Sequence, residues 1–264
     1  MLTFFRRIRK GLIDSSSARK YVLYAIGEIA LVVFGILIAL QINNWNEERK
    51  HRIDEVSLLR VLKSNFETSL EELKADTVMN RITVIKYQEL IKAVKEDLPY
   101  DESLGEALVL MYDWASPHIP NTAYESLKSR GIEIIRNIEL RNQIVDIYEK
   151  QFAYLVNGYD RAEWAFFQSA LIPFATKNIE VIDDNTTYSG IPNDFQALKE
   201  NPEFVNILSK LISLRLWGID NYTSTMNKVE DVIELIEVMS GQNSIRKKQV
   251  RTKNQPSKRP TRGR

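Results

Sequence analysis

The chain has 264 residues, 44 % hydrophobic and 27 % charged, the composition of a globular protein rather than a disordered one. It has no cysteine, which excludes disulfides, thiolate metal sites and cysteine nucleophiles. The net charge of +1 conceals a segregation: +5 over residues 1–20 and +9 over residues 246–264 leave −13 for residues 21–245, an acidic body between two basic ends.

Residues 1–20 read as a basic N-terminal segment on the cytoplasmic side. Leu2, Phe4, Phe5, Ile8 and Leu12 fall near one helical face, with arginines on the other. That pattern fits a short amphipathic helix on an anionic leaflet, and equally topogenic charge without an ordered helix. Tyr21–Leu40 then runs twenty residues with one charge, Glu28. At helical rise this spans roughly 30 Å, the thickness of a hydrocarbon core. A transmembrane helix over 21–43 is expected, with Tyr21, Tyr24 and Trp45 at headgroup depth. No small-x-small cleavage site follows the run, so it reads as a retained anchor rather than a signal peptide. The excess of Lys and Arg on its N-terminal flank places the N-terminus in the cytoplasm. The main domain is then outside, in the periplasm of a cell with an inner membrane.

Glu28 lies about 10 Å into the apolar stretch at helical rise. A carboxylate there is costly unless it is protonated, paired or snorkelled. Gly35 and Ala39 share its helical face in a small-xxx-small arrangement that permits close approach of a second helix. The partner would be a second copy of the chain or another membrane protein; a snorkelled or neutral Glu28 without a partner is the alternative.

The stretch YAIGEIALVVFGILIALQINNWNEERK, within Tyr21–Lys50, resembles the anchor of an uncharacterised family of single-pass bacterial membrane proteins, a domain of unknown function. NTAYESLKSRGIEIIRNIELRNQIVDIYE, Asn121–Glu149, is similar to a second recurring motif of that family. The resemblance implies an all-helical exterior domain. It carries no established activity, and the basic C-terminal tail is not part of it.

No Gly or Pro occurs from Ile36 to Leu98, so the anchor helix can run on into solvent. Ile53, Val56, Leu59, Leu62, Phe66, Leu70 and Leu73 step by threes and fours, the signature of one buried stripe. Ile82, Ile85, Leu90 and Val94 continue it less regularly, and a break is expected near Ala75–Asn80. A short helix is predicted over Ser103–Ala115. Thr122 and Glu125 have the spacing of a capping box, and Gly131 suits the residue after a helix end. Asn137 opens a long helix that Pro173 closes, with Leu140, Ile144, Leu155, Tyr159 and Phe166 inward. Residues 176–200 read as a long loop, and Ile132–Ile135 and Ile179–Ile182 are the only short strand candidates. Asn201-Pro202-Glu203 opens a last helix running to about Met239, with Leu214 or Arg215 on its inner side.

The expected fold is therefore all-α: a single N-terminal transmembrane helix continuing into an extramembrane bundle of about three long and several short helices over 44–239. Residues 240–264 have too few apolar side chains to order themselves. Arg246, Lys247, Lys248, Arg251, Lys253, Lys258 and Arg259 suit a polyanion such as lipid headgroups or envelope polymers. A solvated tail on the acidic body, or variable sequence, accounts for them as well. Nucleic acid is not an expected partner, because it would require a cytoplasmic domain.

No phosphate loop, HExxH or GxSxG motif occurs, and no metal-ligand spacing surrounds the two histidines, His51 and His118. No cofactor or catalytic residue is assigned. Glu106, Asp113, Asp146, Glu149, Asp160 and Glu163 stand at helical spacings that usually form a solvated face. The aromatic run Tyr159–Phe167 reads as core, with a ligand pocket or partner surface as the alternative. The expected role is a membrane-anchored helical interaction or sensory module without its own catalysis, partnered with the bilayer and with a second membrane helix. An envelope enzyme using bundle carboxylates, or a scaffold for other membrane proteins, is the alternative.

Overall fold

The computed structural model describes residues 18–114, 116–183 and 187–240, with side chains from residue 22 onward. The amphipathic segment proposed for the first dozen residues, the Tyr21 side chain and the tail residues Arg246, Lys247, Lys248, Arg251, Lys253, Lys258 and Arg259 lie outside the described residues. The fold is helical, with one small two-stranded sheet. The chain divides into two compact units, Met1–Glu55 and Val56–Arg264.

Helix α1 covers Ala18–Lys95 without interruption. It is the one helix among the described residues long and apolar enough to cross a membrane, and none of its apolar stretch is buried. Every Val, Leu, Ile and Phe from Val22 to Ile42 is exposed, from 47 % at Val33 to 70 % at Leu31. In water each such side chain forgoes about 1.5–3 kcal/mol of burial.

In the second unit α1 buries Leu59, Leu62, Phe66, Leu70 and Leu73, as the stripe predicts, and Leu58 besides; Val56 is half-buried, and Ile53 in the first unit is exposed. The break expected at Ala75–Asn80 does not occur. The buried stripe passes instead through Thr77, Asn80, Thr83, Val84 and Tyr87, leaving Ile82 and Ile85 exposed. The Thr77 and Thr83 hydroxyls donate to the carbonyls of Leu73 and Met79, so these residues stay helical with their polar groups satisfied. The helix ends in a Schellman pattern: Leu98 N–H donates to Ala93 O and Asp97 N–H to Val94 O, with Asp97 at φ 50°. Lys199 ties this turn down by donating to the Asp97 carboxylate and to Leu98 O.

Short helix α2 (Gly105–Val109) lies between 3₁₀ turns Glu102–Leu104 and Leu110–Tyr112. Helix α3 (Thr122–Arg130) departs from the expected capping box. Asn121 holds the cap position with no side-chain capping bond, which places Thr122 one residue too late to cap. Glu125 pairs with Lys128 at 2.8 Å instead. Gly131 follows at φ 95°, a conformation open to glycine. The strand candidate Ile132–Ile135 begins as a 3₁₀ turn, Ile132–Ile134.

Asn137 caps the next helix by accepting from Leu140 N–H at 2.9 Å. Residues 138–178 are helical throughout: α4 (Ile138–Asp146), wide π turns at Ile147–Phe152 and Leu155–Asp160, α5 (Arg161–Phe166), a third π turn at Phe167–Leu171, and α6 (Ile172–Asn178). Pro173 therefore does not close the helix. The π turn before it widens the backbone where its ring would otherwise meet a carbonyl one turn back.

Among the described residues, the segment expected as a loop over 176–200 carries regular structure. Strands β1 (Ile179–Asp183) and β2 (Tyr188–Pro192) pair antiparallel, with Val181 opposite Gly190, and α7 (Phe195–Glu200) follows. Gly190 explains the seating of the hairpin: a Cβ there would lie 2.8 Å from the Leu108 Cβ, so only glycine lets β2 lie against α2. Helix α8 (Pro202–Met239) starts as predicted, with Asn201 accepting from Glu203 N–H at 2.9 Å.

Two apolar cores result, both in the second unit. The first joins Leu59, Leu62, Phe66 and Leu73 of α1 to Leu140, Ile144, Phe152, Leu155 and Tyr159, and to Tyr222, Val229, Val232 and Ile236 of α8. The second joins Tyr87 and Leu90 of α1 to Leu108, Met111, Phe167, Leu171 and Phe174, and to Phe204, Leu208 and Leu211 of α8.

Candidate functional site

Each of the three long helical segments passes from one core to the other through a polar stretch. On α1, between Leu73 and Tyr87, stand Asp76, Thr77, Asn80 and Thr83; on 138–178, between Tyr159 and Phe167, stand Asp160 and Glu163; on α8, between Leu211 and Tyr222, stands Arg215. Asn80, Asp160, Glu163 and Arg215 are all buried, Glu163 and Arg215 to 2 % and 7 % exposure. The two cores are thus separated by a layer of hydrogen-bonding and charged groups.

Arg215 is its centre. Its Nη1 lies 3.0 Å from Glu163 Oε1 and donates to Asn80 Oδ1 at 3.1 Å, and its Nη2 reaches the Asp113 carbonyl oxygen at 3.4 Å. The guanidinium thereby joins α1, α5, α8 and the segment after α2. Tyr87 braces that segment by donating to Leu110 O at 3.0 Å. Tyr188 of β2 donates to Asp113 Oδ1 at 3.1 Å. Adjacent Tyr159 and Asp160, at the end of the wide turn Leu155–Asp160, are both buried. Gly218 makes room for Tyr159: a Cβ there would come within 2.3 Å of its hydroxyl.

The electrostatics follow from burial. Desolvation raises the Glu163 carboxyl pKa above the usual carboxylate range, with Arg215 opposing it. Desolvation and then Glu72 raise Asp76, again against Arg215. Burial raises Asp160, against a hydrogen bond from Ser116. Burial works against the Arg215 charge, but Glu163 and the neighbouring tyrosines outweigh it and hold its pKa up. The hydroxyls of Tyr87, Tyr159 and Tyr222 are pushed well up by burial and stay protonated.

The layer opens to one side into a cleft of about 360 Å³, lined by Asp76, Asn80, Asp113, Trp114, Arg215 and Tyr222, with Met79, Leu110 and Tyr112 among its apolar walls. Trp114 packs against Trp164 of the aromatic run, ring centroids 4.6 Å apart. Tyr159 and Phe167 of that run are buried while Trp164 is exposed, so the run serves both the core and the wall behind the cleft. Among the described residues no group of three or more His, Asp and Glu side chains is arranged to hold a metal ion. His51 and His118 are both exposed.

Two of the carboxylates expected on a solvated face, Asp160 and Glu163, are inside; Glu106, Asp113 and Glu149 are exposed as expected, and Asp146 is partly buried. In sequence Asp76 and Asn80 stand only in a stretch that weakens the helix, although Asn80 falls in register with the buried stripe. For Arg215 the helical spacing gives an inward position only as an alternative to Leu214. In the first unit, Glu28, Gly35 and Ala39 are exposed along one face of α1, with nothing within 4 Å of where a Gly35 Cβ would be. Tyr24 is half-buried and Trp45 is 67 % exposed.

No curated protein matches the chain, and no solved structure does. A family model does match, over residues 28–163, a span that includes Asp76, Asn80, Asp113, Asp160 and Glu163 and stops before Arg215. The chain belongs to that family, a family of unknown function designated DUF6090.

Proposed function

We propose that the protein is a membrane-anchored helical interaction or sensory module that performs no chemistry of its own. The observation that carries this reading is the exposure of every large aliphatic and Phe side chain from Val22 to Ile42 on a helix long enough to span a bilayer. Lipid is the solvent that removes the cost of that exposure. The anchor crosses the inner membrane once, N-terminus in the cytoplasm and main domain in the periplasm, as the flanking Lys and Arg dictate. Glu28, Gly35 and Ala39 form the face that meets a second membrane helix, from another copy or another protein.

The test is direct. Alkaline carbonate washing leaves the full-length chain in the membrane pellet; release into the supernatant overturns the anchor. Alkaline phosphatase fused after Arg264 is active; activity of only a cytoplasmic reporter overturns the orientation. Glu28→Leu weakens in-membrane crosslinking, and an unchanged pattern removes that contact.

A second reading, an envelope enzyme, draws on Asp76, Asp160 and Glu163 near the cleft, whose carboxyl pKa values burial raises in the direction a general acid needs. Turnover of an envelope substrate that Asp76→Asn abolishes would favour it over the binding module.

A further inference from the structure

We infer that the cleft beside Arg215 binds a small zwitterion of the α-amino-acid type, its carboxylate held by Arg215 and Trp114 and its ammonium by Asp76. This deepens the sensory reading by naming the ligand, and it rests on the second unit alone.

Three residues that line the cleft each carry a buried polar atom with no hydrogen-bond partner among the described residues: Arg215 Nε, Trp114 Nε1 and Asp76 Oδ2. Two are donors, one of them cationic, and the third is an anionic acceptor. Buried groups of this kind ordinarily find partners, because leaving one unsatisfied costs about 1–3 kcal/mol. A cation alone would satisfy Asp76 and meet Arg215 with like charge. An anion alone would satisfy Arg215 and Trp114 and meet Asp76 with like charge. A molecule carrying both charges on neighbouring atoms satisfies all three.

The Arg215 geometry agrees. Its Nη1 is committed to Glu163 and Asn80. The Nε–Nη2 edge, with one bond to the Asp113 carbonyl, is the side on which a guanidinium takes a carboxylate in parallel hydrogen bonds. Arg215 is 93 % buried by its 7 % exposure and held from three sides, so its orientation is set before a ligand arrives. Glu163 behind it keeps the pair neutral, so a carboxylate ligand is not attracted by bulk positive charge and needs its own cationic end for Asp76. The cleft volume, about 360 Å³, lies at the low end for ligand sites and suits a molecule of amino-acid size. Met79, Leu110, Tyr112 and Tyr222 supply an apolar wall for its side chain.

The experiment is calorimetric titration of the full-length chain in nonionic detergent at fixed ionic strength. The probes are L-alanine, L-leucine and L-phenylalanine, with propionate and n-propylamine as the single-charge controls. At least one amino acid is expected to bind saturably, with both controls at least about tenfold weaker, as the loss of one charged hydrogen-bonding group implies. Asp76→Asn and Trp114→Phe each weaken that binding while thermal unfolding stays cooperative; should one variant misfold, the other carries the test. Saturable binding of none of the five probes overturns the inference, as does a control binding as tightly as the amino acid, or unchanged affinity in a folded variant. None of these outcomes bears on carbonate extraction, so failure here is separable from failure of the anchor.

Discussion

Residues 22–42 and 58–93 belong to one helix and are both rich in large apolar side chains, yet they meet their surroundings in opposite ways. The first stretch exposes all of them; the second buries those spaced by three and four and turns the others out. A helix that is apolar all round has no preferred face and needs an apolar solvent, whereas a helix apolar on one stripe needs a protein core. The acidic groups show the same contrast. Glu28 stands exposed on the apolar stretch, while Glu163 is enclosed by protein and faces Arg215 at 3.0 Å. What a charge costs, and what relieves the cost, depends on which medium encloses it.

The largest effect expected is at the polar layer. Arg215→Leu leaves Glu163 buried without its cation and lowers the stability of the helical bundle by about 3–5 kcal/mol, read from denaturant unfolding of the full-length chain in detergent. Combining it with Glu163→Leu recovers most of that loss, because the remaining charge goes too. A double variant no better than the single would mean that Arg215 acts chiefly through Asn80 and the Asp113 carbonyl. Next, Leu62→Ala, in the first apolar core, costs about 2–5 kcal/mol by the same measurement. Leu37→Ala, on the exposed stretch, leaves the unfolding midpoint in place. Equal losses at the two positions would erase the contrast between the halves of α1.

A smaller effect is expected with pH. Burial raises the folded-state pKa of Asp160 above its unfolded value, so the stability linked to its proton is fully present below the ordinary carboxylate range, near pH 4. That contribution is lost as pH rises through the folded value. Asp160→Asn removes the dependence, so the variant gains on the wild type in melting temperature between about pH 4 and pH 7. A constant difference across that interval would show that Asp160 titrates normally. The smallest effect is local: Asn137→Ala deletes the cap on Leu140 N–H and costs about 1 kcal/mol.

Much of the fold is legible in local chemistry. The apolar run from Tyr21, the cap residues Asn137 and Asn201, and the glycine after α3 each act on their own few residues, and each does in the structure what its type implies. The elements read differently from sequence depend on distant partners. Thr77, Asn80 and Thr83 look like helix weakeners when polarity alone is scored. They keep the register of the buried stripe because Arg215, 135 residues beyond Asn80, donates to Asn80, while Thr77 and Thr83 donate to the Leu73 and Met79 carbonyls of their own helix. Strand β1 includes the short candidate Ile179–Ile182, whereas β2 goes unread because Gly190, rather than a large apolar residue, seats it against α2.

The sequence by itself determined the helix starts at Asn137 and Asn201 and which stretch is long and apolar enough to cross a membrane, because capping and the length of an apolar run act over a few turns of backbone. Only the tertiary structure decided that Asn80, Glu163 and Arg215 form one buried layer beside a cleft. A polar residue at a helical position carries no local sign of whether water or a distant opposite charge will satisfy it.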